Sequence, residues 1–293
     1  MVQKTGRNVF GGPWTQEKLK IIEDYLSAYM RALKNQPFRK VYIDAFAGSG
    51  SIYHKDTSER NSLKLPLDED TEEFLRGSAS IAIEIKPPFD SYVFIEKDEK
   101  RCRELERFKD VRENITIKRG DANSEIQKIC FEYDWRTNRA ILFLDPYGMQ
   151  VKWETLKRVA ETKSVDLWYL FSIGGVNRLL PKNGFIDQGT TNLLNDIFGT
   201  NTWYDSFYEE SNQLSFFRQE RPQQKVSFPK ISDFIVSRLR TIFPGVAEKP
   251  RLLINSKNSP LFLLCFACSN PSQNALRVAM RIANDLLTRI NNE

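Results

Sequence analysis

Apolar residues recur at intervals of three and four along Leu19, Ile22, Tyr25, Leu26, Tyr29, Met30 and Leu33, which predicts a helix with one buried face. Thr15 with Lys18 offers an imperfect cap at its start, and Asn35, Gln36 and Pro37 end it. The pattern then changes to a short apolar run, Val41, Tyr42 and Ile43, with Phe46 close behind. This predicts a buried strand feeding a turn that contains Gly48 and Gly50. Glycine accepts positive φ and leaves the main chain bare, so VYIDAFAGSG reads as a first strand followed by a ligand-cradling turn. Residues 51–73 are polar, charged and interrupted by Pro66, which predicts an inserted loop. The helical pattern resumes at Gly77, runs through SASIAIEI to Lys86, and stops at Pro87 and Pro88.

Strands and helices then alternate. Apolar runs predict strands at 92–95, 115–118, 140–144 and 165–171, with helices between them. The run at 140–144 has no polar alternation, as expected of a strand covered on both faces. From Ile173 to Lys230 the composition shifts to Asn, Gln, Gly and aromatics: Phe185, Phe198, Trp203, Tyr204, Phe207, Tyr208, Phe216 and Phe217. A mostly helical insertion is expected there. Its rings could form a small helical subcore, a docking surface, or a platform for stacking bases. A helix at 231–242, strands at 251–255 and 261–267 flanking the SKNSP turn, and a helix at 273–290 complete the chain. The expected fold is α/β: a mostly parallel sheet of seven strands ending in an antiparallel hairpin. Residues 1–37 form an arm and helix, 38–172 and 231–293 the main domain, and 173–230 the insertion.

Composition narrows the partners only a little. The 293 residues carry a net charge of +5, which permits an anionic partner such as nucleic acid without requiring one. No apolar run reaches the roughly 18 residues of a membrane span, and MVQKTGRN lacks a signal core, so a cytoplasmic protein is expected. The four cysteines are Cys102, Cys130, Cys265 and Cys268. The last two form a CxxC inside a strand, where residues three apart point to opposite faces, which argues against a shared metal and for a structural role. His54 is the only histidine, so a multi-histidine metal site is excluded.

Four signals follow the strands in order: DAFAGSG after the first, Glu96 after the second, GDA after the third and LDPYG after the fourth. Together with the reversed last strand, they resemble the Rossmann-like S-adenosylmethionine-dependent methyltransferase fold. Glu96 lies 46 residues after Gly50, later than the usual acid of a dinucleotide fold; the inserted loop accounts for the excess. At finer grain, WTQEKLKIIEDYL, YIDAFAGSG, FIEKD, GDAN, FLDPYGMQVKWETL, VDLWYLF and PLFLLCFA resemble the bacterial three-Cys-motif partner protein family over nearly the whole chain. The resemblance implies S-adenosylmethionine as cofactor and a partner protein bearing three cysteines. By the wider fold, Asp44 would meet the methionine amino group, while Phe46, Gly48 and Gly50 would admit the cofactor. Glu96 with Lys97 would lie at the ribose, and Asp121 with Ala122 at the adenine. Asp145 belongs to the same pocket. On the residues alone, Asp44 reads equally as a loop-capping carboxylate and Glu96 as an exposed strand-end acid.

Asp145, Pro146 and Tyr147 resemble the aspartate-proline-proline-aromatic motif of methylases that modify an exocyclic amino group. There a carboxylate oxygen and a backbone carbonyl accept the amine hydrogens while the ring stacks on the base. One proline is missing here, and Asp-Pro-Tyr-Gly is also a good β-turn. Two classes of function remain: a methyltransferase acting on a base amine of DNA or RNA, and a cofactor-binding but non-catalytic partner or regulatory protein. Transfer to a small molecule or a protein is a further alternative.

Overall fold

The computed structural model describes residues 13–50, 77–182, 184–210 and 223–289. The inserted loop expected at 51–73, with His54, and Phe216 and Phe217 lie outside the described residues. Helix α1 spans Pro13–Ala32, with its proline at the first helical position, where the missing N–H is no loss. This corrects the expected cap: Thr15 lies inside the helix, and Lys18 is fully buried. Lys18 falls four residues after Trp14 and four before Ile22, in phase with the apolar stripe rather than at its end.

In chain order there follow β1 (Arg39–Asp44), α2 (Ser78–Glu84), β2 (Ser91–Glu96), α3 (Glu99–Glu106), β3 (Ile115–Arg119) and α4 (Ala122–Glu132). Then come β4 (Asn138–Leu144), α5 (Trp153–Glu161), β5 (Val165–Phe171), α6 (Ile173–Leu179), α7 (Gln188–Phe198), α8 (Trp203–Phe207), β6 (Tyr208–Glu210) and β7 (Gln223–Lys225). The chain closes with α9 (Phe228–Arg240), β8 (Gly245–Val246), β9 (Arg251–Ile254), β10 (Pro260–Cys268) and α10 (Gln273–Thr288).

The main sheet runs β3-β2-β1-β4-β5-β10, with β8 and β9 sharing the outer edge of β10. Strands β1 to β5 are parallel, and β10 is reversed against β5. The sheet therefore has seven positions, the outermost split between two short strands. In the expected β9–β10 hairpin, Asn255 Oδ1 accepts the amides of Lys257 and Ser259 at 3.0 and 2.9 Å, an Asx-type turn. A reversed strand inserted beside β5 defines the Rossmann-like fold of the methyltransferase type.

Alternation along the strands divides the core in two. On one face Tyr42, Phe94, Phe143, Trp168 and Phe266 meet α1, α2 and α10; on the other Ile43, Ile95, Leu142, Leu167 and Cys265 meet α4, α5 and α9. Cys265 and Cys268 fall in different halves of the core, as the period of two requires. Burial pushes the Cys265 thiol up to about 12. The 173–230 stretch is not wholly helical: the short β6–β7 pair lies within it. Three-residue strands are too brief to leave a periodic signal. Of its aromatics, Phe198, Trp203, Phe207 and Tyr208 are buried in the same core half as Phe171, and the Phe198 and Phe171 rings lie 5.9 Å apart. These four rings are packed; Phe185 is exposed.

Candidate functional site

The adjacency of β3, β2, β1 and β4 brings Asp121, Glu96, Asp44 and Asp145 to one edge of the sheet, where all four strands end. Neighbouring strands lie about 4.8 Å apart, so sequence-distant acids become neighbours. β1 has β2 on one side and β4 on the other, the switch point at which open α/β sheets bind ligands. The turn after β1 is fastened to both: Ala45 N donates to Phe143 O and Ala47 N to Ile95 O, each at 3.1 Å.

Asp44 is held on all sides. Its Oδ2 accepts from Ser78 Oγ at 2.6 Å and Tyr42 Oη at 3.4 Å, and its Oδ1 accepts from Phe46 N at 3.3 Å. It is wholly buried, and its carboxylate acts here as the cap of the glycine turn. Burial raises its carboxyl to about 7, against the Ser78 hydrogen bond that lowers it. Gly48 and Gly50 have φ of 59° and 64°, the left-handed region that glycine fills without strain. A Cβ on Gly50 would also stand 2.2 Å from the Phe108 ring, so this glycine serves packing as well as the turn. Ser80 Oγ donates to Gly50 O at 2.5 Å, and thus two serines of α2 tie down the turn. Phe46 is half-buried at its rim.

Glu96 presents a different picture. Its Oε1 accepts the amides of Lys97 and Asp98, both at 2.9 Å, and among the described residues nothing donates to Oε2. The acid is thus pinned by one oxygen and open at the other, a form suited to a diol. Lys97 is exposed beside it. Asp121 caps α4, with Oδ1 accepting from Ser124 N at 3.1 Å and Ser124 Oγ at 3.2 Å, while Ala122 is buried behind it. The next residue, Asn123, went unnoticed in the sequence. Its Nδ2 donates to Gln150 O, and its Oδ1 accepts from Lys152 N and Thr155 Oγ1, each at 2.9 Å. It bolts the loop after β4 to α4, so the GDAN and DPYG blocks are one structural unit.

Asp145 begins that loop. It points to the face covered by α1, because it keeps the phase of Ile141 and Phe143. Lys18 Nζ donates to its Oδ2 at 2.8 Å, and the ammonium also lies 5.4 Å from the Phe143 ring centre. Among the described residues nothing donates to Oδ1. Burial raises the Asp145 carboxyl to about 6, against the attraction of Lys18, and burial lowers the Lys18 ammonium to about 7, against the attraction of Asp145. Pro146 is buried, whereas Tyr147 is 42% exposed. Lys18 had a signal in the sequence: a lysine in phase with an apolar stripe is either solvated at a helix edge or paired inside. An open groove of about 310 Å³ lies elsewhere, lined by Lys152, Trp153, Asn195 and Gly199 among others; it includes none of the expected site residues. Among the described residues there is no His, Cys, Asp and Glu group able to hold a metal, and no helix long and apolar enough to cross a membrane.

With the fold and site defined, comparison with known proteins adds the following. No family model matches the chain, and no curated protein does. Among solved structures, LPL1258 of Legionella pneumophila is similar with a TM-score of 0.44 and 12% identity, over 92% of this chain and 92% of that one. The N-terminal domain of EvdMO1, crystallised in the presence of SAH and D-fucose, gives 0.36 and 12% over 85% and 83%. The yhhF protein of Escherichia coli gives 0.29 and 13% over 69% and 84%. At these values the function has to be argued from this chain's own residues.

Proposed function

We propose that this chain is an S-adenosylmethionine-dependent methyltransferase that modifies an exocyclic amino nitrogen of a nucleic-acid base. The observation that carries the reading is the junction of β4 with its loop. A buried aspartate with one oxygen open among the described residues, a buried proline and an exposed tyrosine ring stand beside the glycine turn of β1. In this reading Asp145 Oδ1 and the Pro146 carbonyl accept the amine hydrogens, which points the nitrogen lone pair at the methyl group. Tyr147 stacks on the base. The pinned and half-open Glu96 fits ribose hydroxyls, with Lys97 beside it. Phe46, Gly48 and Gly50 wall the methionine end, with Asp44 beneath them, and Asp121 and Ala122 flank the adenine. The sulfonium, when bound, supplies an activated methyl group. The protein's part is to orient the acceptor in line and keep the pocket dry. The cofactor and the motif also belong to the proposed kinship with the three-Cys-motif partner proteins, a cytoplasmic setting and a cysteine-bearing partner included.

A second reading, a cofactor-binding partner without chemistry of its own, is favoured by one observation. The motif lacks its second proline. Calorimetric titration with S-adenosylmethionine comes first; a folded protein that gives no binding heat would sink both readings. Methyl transfer to DNA, tRNA and rRNA, with and without the partner, separates them. Asp145→Ala is expected to lose transfer by at least about 100-fold, the scale of removing one transition-state contact, while cofactor affinity stays unchanged. Unaltered transfer would remove Asp145 from its role.

A further inference from the structure

We propose that Lys18 is the positioning residue of the reacting carboxylate: from α1 it holds Asp145 Oδ2, so that Oδ1 is presented, ionised, to the acceptor amine. This rests on the reading of Asp145 given above. Lysine is among the residues least often buried, and one with no exposed surface needs a partner. The partner α1 delivers it to is the strand-end acid of the DPYG loop, at 2.8 Å.

The two acids at this edge are treated differently. Asp44 receives Ser78 of α2, Tyr42 of its own strand and the Phe46 amide, which leaves neither oxygen open. Among the described residues Asp145 receives Lys18 alone. Among the described residues, the charged and titratable groups facing Asp145 are Lys18 from α1, and Asp44 and Tyr42 from β1, and Lys18 is the positive one of these. Transfer forms an N–C bond with the amine lone pair as the S–C bond breaks and sulfur keeps its electron pair. The nitrogen then carries a surplus proton, which leaves through the carboxylate to solvent. A protonated Asp145 could not take that proton, and with Oδ2 held by Lys18 its own proton would sit on Oδ1, the oxygen that has to accept the amine hydrogen. Lys18 keeps it ionised, opposing both burial and the neighbouring Asp44.

The test uses the full-length protein and the variants Lys18→Met, Lys18→Gln and Lys18→Arg. Each is checked for folding by near-ultraviolet circular dichroism. Wild type and Lys18→Arg are expected to share one acid limb in the pH profile of transfer. Lys18→Met and Lys18→Gln are expected to move that limb upward by about one pH unit or more, the usual effect of an adjacent opposite charge, and to lower kcat with little change in KM for the cofactor. A folded Lys18→Gln whose profile overlays that of wild type would overturn the proposal; this variant keeps the donor, so it serves even if Lys18→Met does not fold. The charge of Asp145 is also read without any substrate, by carbon-13 NMR titration of the aspartate carboxyls with Asp145→Asn for assignment. An Asp145 midpoint higher in Lys18→Gln than in wild type supports the proposal even where no acceptor has been found; an unmoved midpoint refutes it. Absence of transfer by wild type, by contrast, counts against the proposed function alone.

Discussion

Helix α1 touches the same face of the sheet at both ends, and it does so with different chemistry. Near the carboxyl edge Lys18 meets Asp145 at 2.8 Å; seven residues on, towards the amino edge, Tyr25 Oη donates to Asp166 Oδ2 at 2.7 Å. Both aspartates are buried, and burial raises both carboxyls. At the amino edge a neutral hydroxyl is enough. Asp166 lies directly across from Cys268 of β10, inside the paired strands, where its part is structural. At the carboxyl edge the fold places a basic amine between two acids and, among the described residues, leaves one oxygen open. A sheet that needed only satisfied polar groups could have used tyrosine twice, and the proposed role of Asp145 accounts for the contrast.

The largest effect expected from this contrast is on stability. Lys18→Ala leaves a buried carboxylate without its partner and should lower the unfolding free energy by about 3–5 kcal/mol. Tyr25→Phe removes one neutral hydrogen bond from a buried acid and should cost about 1–3 kcal/mol. Urea denaturation of the two variants side by side reads the difference, and an equal or reversed order would break the comparison.

A smaller effect lies in pH dependence. The Asp44 carboxyl, raised to about 7 by burial, still holds its proton where an unfolded aspartate at about 4 has lost it. Its contribution to stability is therefore full below the unfolded value and is lost as pH rises towards 7. The stability of wild type relative to Asp44→Asn should fall over that window, by at most about 1.4 kcal/mol per pH unit. A relative stability that rises with pH would place the proton elsewhere. Smallest of all, Asp166→Asn keeps an acceptor for Tyr25 Oη and should change stability by about 1 kcal/mol or less.

How far the sequence revealed this site depended on the kind of interaction. The strands were legible because parallel strands covered on both faces need unbroken apolar runs, as in Ala140 to Leu144. The acids at their ends were legible by position, since Asp44, Glu96 and Asp145 each terminate such a run. What those acids are bonded to was not. Lys18 became visible as a partner only once α1 had a face and Asp145 a parity. Asn123 needed the fold to bring α4 against the loop after β4. The aromatic stretch was ambiguous for the same reason: Phe198 and Phe207 pack and Phe185 does not, and only tertiary structure separates them.

The central claim is tested most directly by following labelled methyl from S-adenosylmethionine into DNA, tRNA and rRNA, with wild type and Asp145→Ala compared, with and without the cysteine-bearing partner. The account predicts label on a base amino nitrogen with wild type and its loss in Asp145→Ala. A folded, cofactor-binding wild type that labels none of these nucleic acids under either condition would contradict it.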